Sequence, residues 1–555
     1  MSIKKIIKNP IFIIVVTYLL AHCFMLVLSG CWWDDWSFMS HDLTYVNEVA
    51  TGSGRPEWNL LIPLCWSLPN NGKFLIFILY LLDSIFVYNI LKESTLFSKR
   101  NSLIITLLFT IIPVNDARIL ISNFPYSVGL FLFYLAFMLF IKWNKNSKKF
   151  IYRTGILLLF FFSFILNSLF AYYYILIAYL FVIDIKQNKE EKIIQKILTS
   201  IKNISSKYLD FFILPFVYIV VNKLLFPITN EAYAGRSSIS IEGFIKCMKY
   251  LPLSIVNVIK EIFANLSLST IYIPILILFI VCIVCLKQRI NIINKPINKK
   301  YIEYFIYGLI TLCLALFVYV EVRGHVIVTN GVQGRDSILI PLGIAIMIFS
   351  VLSMFNKKVE SILSAIIVVL GIFSFNSLYI EWQKDYYYQL SMENLMNNEI
   401  IKENDTFFLA DLNETKVEGQ RYYSLNTNAY HVFNNQTRIF IPKVSNLYLL
   451  KDEKQIKNAK NSLNGAVGMM KEYNPDDYNL DAIIIFSCNL STYDVFDLKI
   501  KELFDLKTFE DEIKNKGEMK IIEVDDNFTK ELLDKYDNGL LKDDNDVINL
   551  LMNYN

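Results

Sequence analysis

The stretch from Cys31 to Trp58, CWWDDWSFMSHDLTYVNEVATGSGRPEW, contains residue types that could do chemistry. Two adjacent aspartates, Asp34 and Asp35, follow the first strongly apolar segment of the chain and lie among tryptophans that include Trp36. Carboxylates side by side repel each other, and repulsion or partial burial raises the proton affinity of one of them. That property suits a general base, and the same oxygens can coordinate Mg²⁺ or Mn²⁺.

A purely structural role for this pair is the alternative. One aspartate could cap a helix while the tryptophans form an aromatic belt at the membrane interface. A cap requires only one aspartate, so the pair favours a functional role for at least one carboxylate.

The residues after Asp35 predict a short helix that lies in the membrane interface. Met39, Leu43, Val46 and Val49 recur at helical spacing with polar residues between them. Thr51–Gly54 should end this helix, and Arg55-Pro56-Glu57 should start the next, with Pro56 at its first position. Arg55 can pair with Asp34, Asp35 or Glu57, so we expect Arg55, Glu57 and Trp36 to structure the loop or contact an acceptor.

Composition places these residues in a polytopic membrane protein. The chain has 555 residues, of which 54% are hydrophobic, whereas soluble proteins have an apolar share of about 45–50% even with glycine included. Apolar windows predict eleven membrane-spanning helices. They are Ile11–Ser29, Phe74–Leu91, Ser102–Val114, Tyr126–Ile141, Gly155–Leu166, Leu169–Ile183, Leu209–Phe226, Leu268–Leu286, Ile302–Val320, Ile338–Met354 and Ile362–Ile380.

The charges of the loops predict the orientation. With eleven spans and a break at Asn167, the lysine-rich loops, including the six lysines of Asp184–Lys207, fall on the same side as the N-terminus. Positive loops stay in the cytoplasm. The opposite, extracytoplasmic face would carry the first loop (30–73), Asn115–Pro125, Pro227–Ser267, Glu321–Gly334 and the C-terminal tail. An amphipathic stretch, Gly243–Ile262, predicts a surface helix within this set.

Four basic side chains on that outer face could bind a phosphate. Arg335 opens the predicted span that begins at Asp336, and a guanidinium beside a helix N-terminus binds phosphate oxygens in a bidentate fork. An arginine that reaches to lipid headgroups is the structural alternative. Arg323, His325 and Arg236 belong to the same predicted surface.

The chain changes character near residue 380. Residues 1–377 hold 34 lysines and arginines against 19 acidic residues, and the remainder holds 20 against 32. We therefore predict a transmembrane domain over 1–380 and a soluble, extracytoplasmic α/β domain over 381–555. Its expected strands are Thr406–Ala410, Arg438–Pro442, Asp481–Ser487 and Met519–Val524. The expected role of this tail is a structural element or a lid that positions substrate.

The order of these features resembles the GT-C superfamily of polytopic glycosyltransferases. A cytoplasmic N-terminus, a first outer loop with Asp34-Asp35 beside aromatics, an interfacial helix and the Gly54-Arg55-Pro56 turn are similar to Gtr-type O-antigen glucosyltransferases. The likeness in motifs covers about the first hundred residues. The many spans and the outer tail match only in general layout.

This resemblance implies an enzyme of the bacterial inner membrane that uses a polyprenyl-monophosphate-linked sugar donor and a glycan acceptor such as O-antigen. A hexose such as glucose would be transferred with inversion. Asp35, or else Asp34, would accept the proton of the acceptor hydroxyl, and the other aspartate would orient the acceptor or help to hold a divalent cation. Membrane lipids would be the remaining partner, and nothing points to nucleic acid.

Two other functions stay open at this point. A polymerase or ligase of polyprenyl-linked polysaccharide also presents outer arginines, although it relies on large loops rather than on an acidic pair in the first one. A flippase or transporter of lipid-linked sugar predicts polar residues and Gly/Pro breaks through several spans, with symmetry between halves. The polar residues here cluster on one face instead.

Overall fold

A computed structural model describes residues 9–32, 35, 43–68, 72–146, 150–187, 193–229, 241–268, 299–404, 406–412, 439–450 and 480–554. Helices occupy most of these residues. Up to residue 225 they are α1 (Pro10–His22), α2 (Leu43–Gly52), α3 (Trp58–Trp66), α4 (Lys73–Glu93), α5 (Lys99–Ile111), α6 (Phe124–Asn146), α7 (Phe150–Ser163), α8 (Leu169–Tyr172), α9 (Tyr174–Gln187), α10 (Ile193–Lys207) and α11 (Leu209–Leu225).

The remaining elements include a small sheet. The helices before it are α12 (Ile241–Leu268), α13 (Lys299–Arg323), α14 (Ile340–Leu352), α15 (Lys357–Leu395) and α16 (Glu399–Glu403). The strands are β1 (Thr406–Asp411), β2 (Ile439–Pro442), β3 (Ala482–Cys488) and β4 (Gly517–Glu523). The last helices are α17 (Thr492–Phe504), α18 (Leu506–Lys514), α19 (Asp526–Asp537) and α20 (Asp544–Tyr554).

Local signals in the sequence explain where several helices begin. Asn9 caps α1 because its side-chain oxygen accepts a hydrogen bond from the Ile11 amide at 3.0 Å, and Pro10 occupies the first turn. Ser98 caps α5 in the same way through the Asn101 amide.

Six of the described helical segments are long and apolar enough to cross a membrane. They are Pro10–Val27, Lys73–Glu93, Ile121–Lys145, Leu169–Gln187, Lys300–Arg323 and Lys357–Leu395. A seventh is obtained if α10 and α11, which meet at a bend of 63°, form one broken span. The prediction of a helical membrane protein is thus supported by these segments.

The predicted count of eleven spans is not confirmed. Helices α5, α7 and α14 have 13 or 14 residues, which gives a length of about 20 Å, short of the ~30 Å hydrocarbon core. The predicted span Leu268–Leu286 lies almost wholly outside the described residues. Apolar runs alone do not fix the number of spans, because a short apolar helix and a span have the same composition.

Single elements agree with three further sequence predictions and differ from a fourth. The chain does break at Asn167, between α7 and α8. Gly243–Ile262 is helical, as part of α12. The interfacial helix expected after Asp35 is α2, which begins at Leu43 in the described residues. Pro56 is not in the first helical turn, because α3 begins at Trp58 with Glu57 as its N-cap residue.

The described chain divides into two compact units. The first comprises Met1–Val27 and Ala50–Leu378, and the second comprises Leu28–Val49 and Tyr379–Asn555. The start of the first predicted outer loop therefore groups with the C-terminal part of the chain. The predicted boundary at residue 380 falls inside α15, which continues to Leu395.

The second unit is built on a four-stranded sheet with the order β2-β1-β3-β4. Strand β1 pairs in parallel with β2 and β3, and β4 is antiparallel to β3. All four strands lie where the sequence predicts them, within one or two residues at each end.

Helices cover both faces of this sheet. Alternate residues of a strand point to opposite faces, so Phe407 and Leu409 pack on one side while Phe408 and Ala410 pack on the other. Helices α17 and α18 contribute to the first core, and α19 and α20 to the second. The tail is the mixed α/β domain that its strand pattern predicts.

Candidate functional site

Asp35 is the member of the predicted acidic pair that the structure describes. The residue is fully buried, and its backbone N–H donates a hydrogen bond to the Trp32 carbonyl oxygen at 3.0 Å. Trp32 is buried as well and packs edge-on against Trp382 with ring centroids 5.0 Å apart. Burial of an aspartate is costly unless its environment compensates, so such a residue is more often functional than incidental.

The segment before Asp35 is anchored by polar contacts within the second unit. The Ser29 amide donates to Gln383 Oε1 at 3.0 Å, and the Ser29 hydroxyl contacts both Lys499 and Glu502. Lys499 and Glu502 form an ion pair of 2.9 Å, and Tyr387 donates to the same carboxylate at 2.6 Å. These contacts fix the backbone that leads to Asp35.

Gly30 is required by the same packing. Its φ of +96° is a left-handed conformation, and a Cβ at this position would lie 2.3 Å from the Tyr386 ring. The chain therefore turns closely against α15 before it reaches Trp32.

Arg55 lies in a pocket of aromatic and amide groups in the first unit. Its Nη1 donates to the Tyr126 hydroxyl at 2.8 Å, and the guanidinium lies over the rings of Trp58 and Tyr126. Asn167 can accept from Nη2 at 3.3 Å. No carboxylate of the described residues lies within 4.0 Å of this guanidinium. The pair with Glu57, one of three that the sequence offers for Arg55, is therefore not formed, and the contacts with Tyr126 and Trp58 stack and orient the arginine.

Glu57 lies near this arginine without a close ion pair. Burial raises the pKa of Glu57, while its own backbone N–H and the charge of Arg55 act in the opposite direction. Because burial outweighs these two effects, Glu57 holds its proton more tightly than an exposed glutamate does. Glu57 is thus a candidate for proton transfer or for pH sensing at the start of α3.

Arg323 and Arg335 converge on one carboxylate. Nε of Arg323 lies 3.1 Å from Asp336 Oδ2, and Nε of Arg335 lies 3.8 Å from Asp336 Oδ1. Arg335 belongs to a 3-10 turn, Val332–Ser337, rather than to the first turn of α14. His325 is exposed, and its ring nitrogen Nδ1 contacts the Val326 carbonyl. Two of the four predicted phosphate-binding residues are thus brought together.

Three loops that the charge pattern assigns to one face meet around these arginines. The backbone N–H of Asn115 donates to the Thr329 carbonyl oxygen at 3.1 Å, and the backbone N–H of Gly331 donates to Asp116 Oδ2 at 3.0 Å. Gly334 is packed so closely that a Cβ there would lie 2.8 Å from Asp116 Oδ1. Asp116 therefore holds the loop that carries Arg335.

Helix α12 supports the same loop from another side. Glu261 Oε2 accepts hydrogen bonds of 2.6 Å from both the amide and the hydroxyl of Thr329. The side-chain amides of Asn265 and Asn330 exchange two hydrogen bonds, at 2.7 and 3.0 Å. These hydrogen bonds form a polar framework that attaches the loop to α12, and a binding site needs support of this kind.

Sequence reasoning missed a buried arginine close to this framework. Arg118 donates to the carbonyl oxygens of Asn115 and Val114 at 2.9 and 3.2 Å, and its guanidinium lies over the rings of Tyr80 and Phe375. The signal was available, because the run Asn115-Asp116-Ala117-Arg118 places an acid and a base directly after an apolar helix.

Asp83 lies within electrostatic range of Arg118. It is fully buried in α4, and neither of its carboxyl oxygens hydrogen-bonds to a described residue. Intramembrane acids of this kind are functional or paired with a neighbour by default. Arg118 is a nearby positive charge that the sequence alone did not identify for it.

Three predicted site residues, Asp34, Trp36 and Arg236, lie outside the described residues. Within the residues that the structure describes, no three His, Cys, Asp or Glu side chains form a group that could hold a metal ion. The only indication of a cation at the pair Asp34-Asp35 is therefore the sequence, and the reaction proposed for this chain uses no metal.

The arrangement offers two kinds of chemistry, each within one unit. A carboxylate at Asp35 can accept a proton, and the arginines around Asp336 can bind a phosphate. Comparison with protein-family models and with curated proteins gives no match to this chain.

Proposed function

We propose that this chain is a membrane glycosyltransferase. In this proposal it moves a sugar, a hexose such as glucose, from a polyprenyl-monophosphate donor to a cell-surface glycan such as O-antigen. The observation that carries the proposal is Asp35, a buried aspartate only eight residues beyond Val27, where the first candidate span ends. A lipid-linked sugar presents its anomeric carbon at the membrane surface, where a base at this position would be needed.

In the proposed reaction Asp35 acts as the general base. The acceptor hydroxyl oxygen forms a bond to the anomeric carbon while the bond from that carbon to the phosphate oxygen breaks, and the hydroxyl proton passes to the Asp35 carboxylate. The configuration at the anomeric carbon inverts, because attack and departure occur on opposite faces. The burial of Asp35 supports this role, since ionisable side chains that a fold withdraws from water are enriched at functional sites.

The leaving phosphate is proposed to be stabilised by Arg335 and Arg323. Asp336 supplies one negative charge to these two guanidinium groups, so the three side chains together carry a net charge of one positive unit. A guanidinium binds phosphate oxygens through paired N–H donors, and it keeps its charge at all physiological pH values.

The proposed location is a bacterial inner membrane, with the N-terminus in the cytoplasm and the tail outside. The lysine-rich loops support this orientation. A reporter enzyme fused after Asn555 should therefore be active outside the cytoplasm, and activity of the fusion inside the cytoplasm would reverse the orientation.

The function is tested by the mass of the repeat unit of the surface polysaccharide. Four strains are compared: the parent, a deletion, and deletions complemented with Asp35→Asn or with Asp511→Asn. Asp511 is an exposed aspartate of α18 and serves as the matched control. We expect one hexose mass to be lost in the deletion and in the Asp35→Asn strain, and to be retained in the control strain.

Other outcomes separate the alternatives. Shortened chains of unchanged repeat units would indicate polymerisation or ligation instead. Full activity of Asp35→Asn at normal protein levels would remove Asp35 as the base. Accumulation of unused lipid-linked donor on the cytoplasmic side would indicate a flippase.

A further inference from the structure

Helix α17 carries a row of large apolar side chains that the second unit does not cover. Tyr493, Phe496, Ile500 and Leu503 follow one another at steps of three or four residues, and Phe504 is adjacent to Leu503, so all five lie on one side of the helix. Phe504 is 84% exposed, Tyr493 78% and Ile500 59%. Single exposed apolar residues are normal on proteins, whereas a continuous row of five marks an interaction surface.

The other faces of α17 are already occupied. Val495 and Leu498 are buried in the core beneath the sheet. On the polar flank Lys501 pairs with Asp497 and with Glu512, each at 2.6 Å. The apolar row is therefore a separate face, which we call the α17 stripe.

The chain fixes this helix close to the end of a membrane span. Lys499 of α17 donates to the Ser29 hydroxyl at 2.7 Å, and Glu502 contacts the same hydroxyl. Ser29 is two residues beyond Val27, the last residue of the candidate span Pro10–Val27. Two residues reach at most about 7 Å. Helix α17 is consequently tied through Ser29 to the stretch of chain that directly follows the first candidate span.

We propose that the α17 stripe is inserted into the lipid headgroup and acyl-chain boundary. A helix with one apolar face at a membrane surface lies in the plane of the interface, with that face directed into the lipid. Tyrosine at one end of the stripe suits the interface because its ring is apolar and its hydroxyl polar. Leu506 and Lys507 extend the surface, and an exposed lysine can meet a lipid phosphate.

Lipid is a better occupant than a second copy of the chain. The stripe spans about 18 Å along one short helix, whereas stable dimers bury roughly 800 Å² on each partner. The distance of two residues along the chain between Ser29 and the end of a candidate span favours lipid as the occupant, because lipid surrounds the end of any span. This inference does not depend on the proposed transfer reaction.

Site-specific photocrosslinking in the full-length protein tests the proposal. The photoreactive residue p-benzoyl-phenylalanine replaces Ile500 or Phe504, both exposed, and Met552 in a control. Met552 is an apolar residue, 56% exposed, on α20, a helix that packs against the opposite face of the sheet. The protein is reconstituted into vesicles of phosphatidylethanolamine and phosphatidylglycerol, irradiated, and digested for mass spectrometry.

We expect phospholipid adducts on peptides that contain position 500 or 504, and none at position 552. Adducts to a second copy of the chain, or the absence of lipid adducts at both 500 and 504, would overturn the proposal. Equal lipid labelling at 552 would also overturn it. Because every substituted position is exposed, the core beneath the sheet keeps its packing in all three variants.

Discussion

Arg323 Nε lies 3.1 Å from Asp336 Oδ2, so the carboxylate next to Arg335 is shared with a second arginine from the end of α13. The side chain of Asp336 is 10% exposed and that of Arg323 33%. This geometry decides how much positive charge remains for a phosphate. Because Arg323 is the last residue of α13, the same contact attaches the loop that carries Arg335 to that helix.

We expect a measurable coupling between Arg323 and Asp336. A double-mutant cycle of Arg323→Gln and Asp336→Asn, followed by unfolding in detergent, should give about 1 kcal/mol, because the pair is only partly shielded from water. The corresponding cycle for Arg335→Gln should give less, since its closest approach to Asp336 is 3.8 Å. A coupling energy of zero for Arg323 would contradict this interpretation of the loop.

The proposed phosphate contact gives a second prediction. Arg335→Ala should raise the KM for a polyprenyl-phosphate-linked hexose roughly tenfold, which corresponds to about 1.4 kcal/mol. Arg335→Lys should recover part of this loss, because it restores the charge without the fork of donors.

Arg100→Ala is the matched control for Arg335. Arg100 pairs with Glu360 at 2.9 Å, and its loop is predicted to lie on the cytoplasmic side. An unchanged donor KM in Arg335→Ala, or an equal rise in Arg100→Ala, would remove Arg335 from the phosphate site.

The ion pair that anchors Ser29 gives a third prediction. Lys499→Met should destabilise the protein by about 3–5 kcal/mol, because it leaves Glu502 buried without its cation. The side chains of this pair are 6% and 16% exposed. The double variant Lys499→Met/Glu502→Leu should regain much of the stability, since the remaining buried charge is removed as well.

Lys402→Met tests whether burial is the cause. Lys402 pairs with Glu399 on the surface, and loss of such a pair costs about 0–1 kcal/mol. If Lys499→Met and Lys402→Met lower the unfolding free energy equally, the Lys499–Glu502 pair does not act as a buried anchor.

Glu57 gives a prediction about pH. Burial raises the pKa of Glu57, so the folded state binds its proton more tightly than the unfolded state does. The stabilisation that comes from this tighter proton binding is fully present below the ordinary pKa of 4.5. It is lost as the pH rises through the pKa that Glu57 has in the folded state. Glu57→Gln should therefore reduce the fall in melting temperature as the pH rises from that value towards neutrality.

An exposed glutamate serves as the control for this measurement. Lys246 lowers the pKa of Glu242 through a hydrogen bond and its charge, so Glu242→Gln should change the pH dependence only below pH 4.5 and leave the fall above that value as in the parent. Thermal unfolding in detergent at a series of pH values checks both variants. A Glu57→Gln profile that matches the parent would show that Glu57 is not strained by burial.

The sequence by itself determined the class of protein and the positions of local elements. Apolar runs identified spans such as Lys73–Glu93, and runs of apolar and β-branched residues identified all four strands. These signals succeed because hydrophobic periodicity depends only on neighbours along the chain. The same signals do not decide whether α5, α7 and α14 cross the membrane, because a short apolar helix and a span have the same composition.

The tertiary structure alone decided which charged groups meet. Asp116 reaches Gly331 across 215 residues of sequence, and Lys499 reaches Ser29 across 470. It also placed the Arg55 guanidinium against the Tyr126 hydroxyl, and it brought Arg118 within electrostatic range of Asp83. Pairings of this kind depend on how distant segments pack, and one sequence carries no local signal for them.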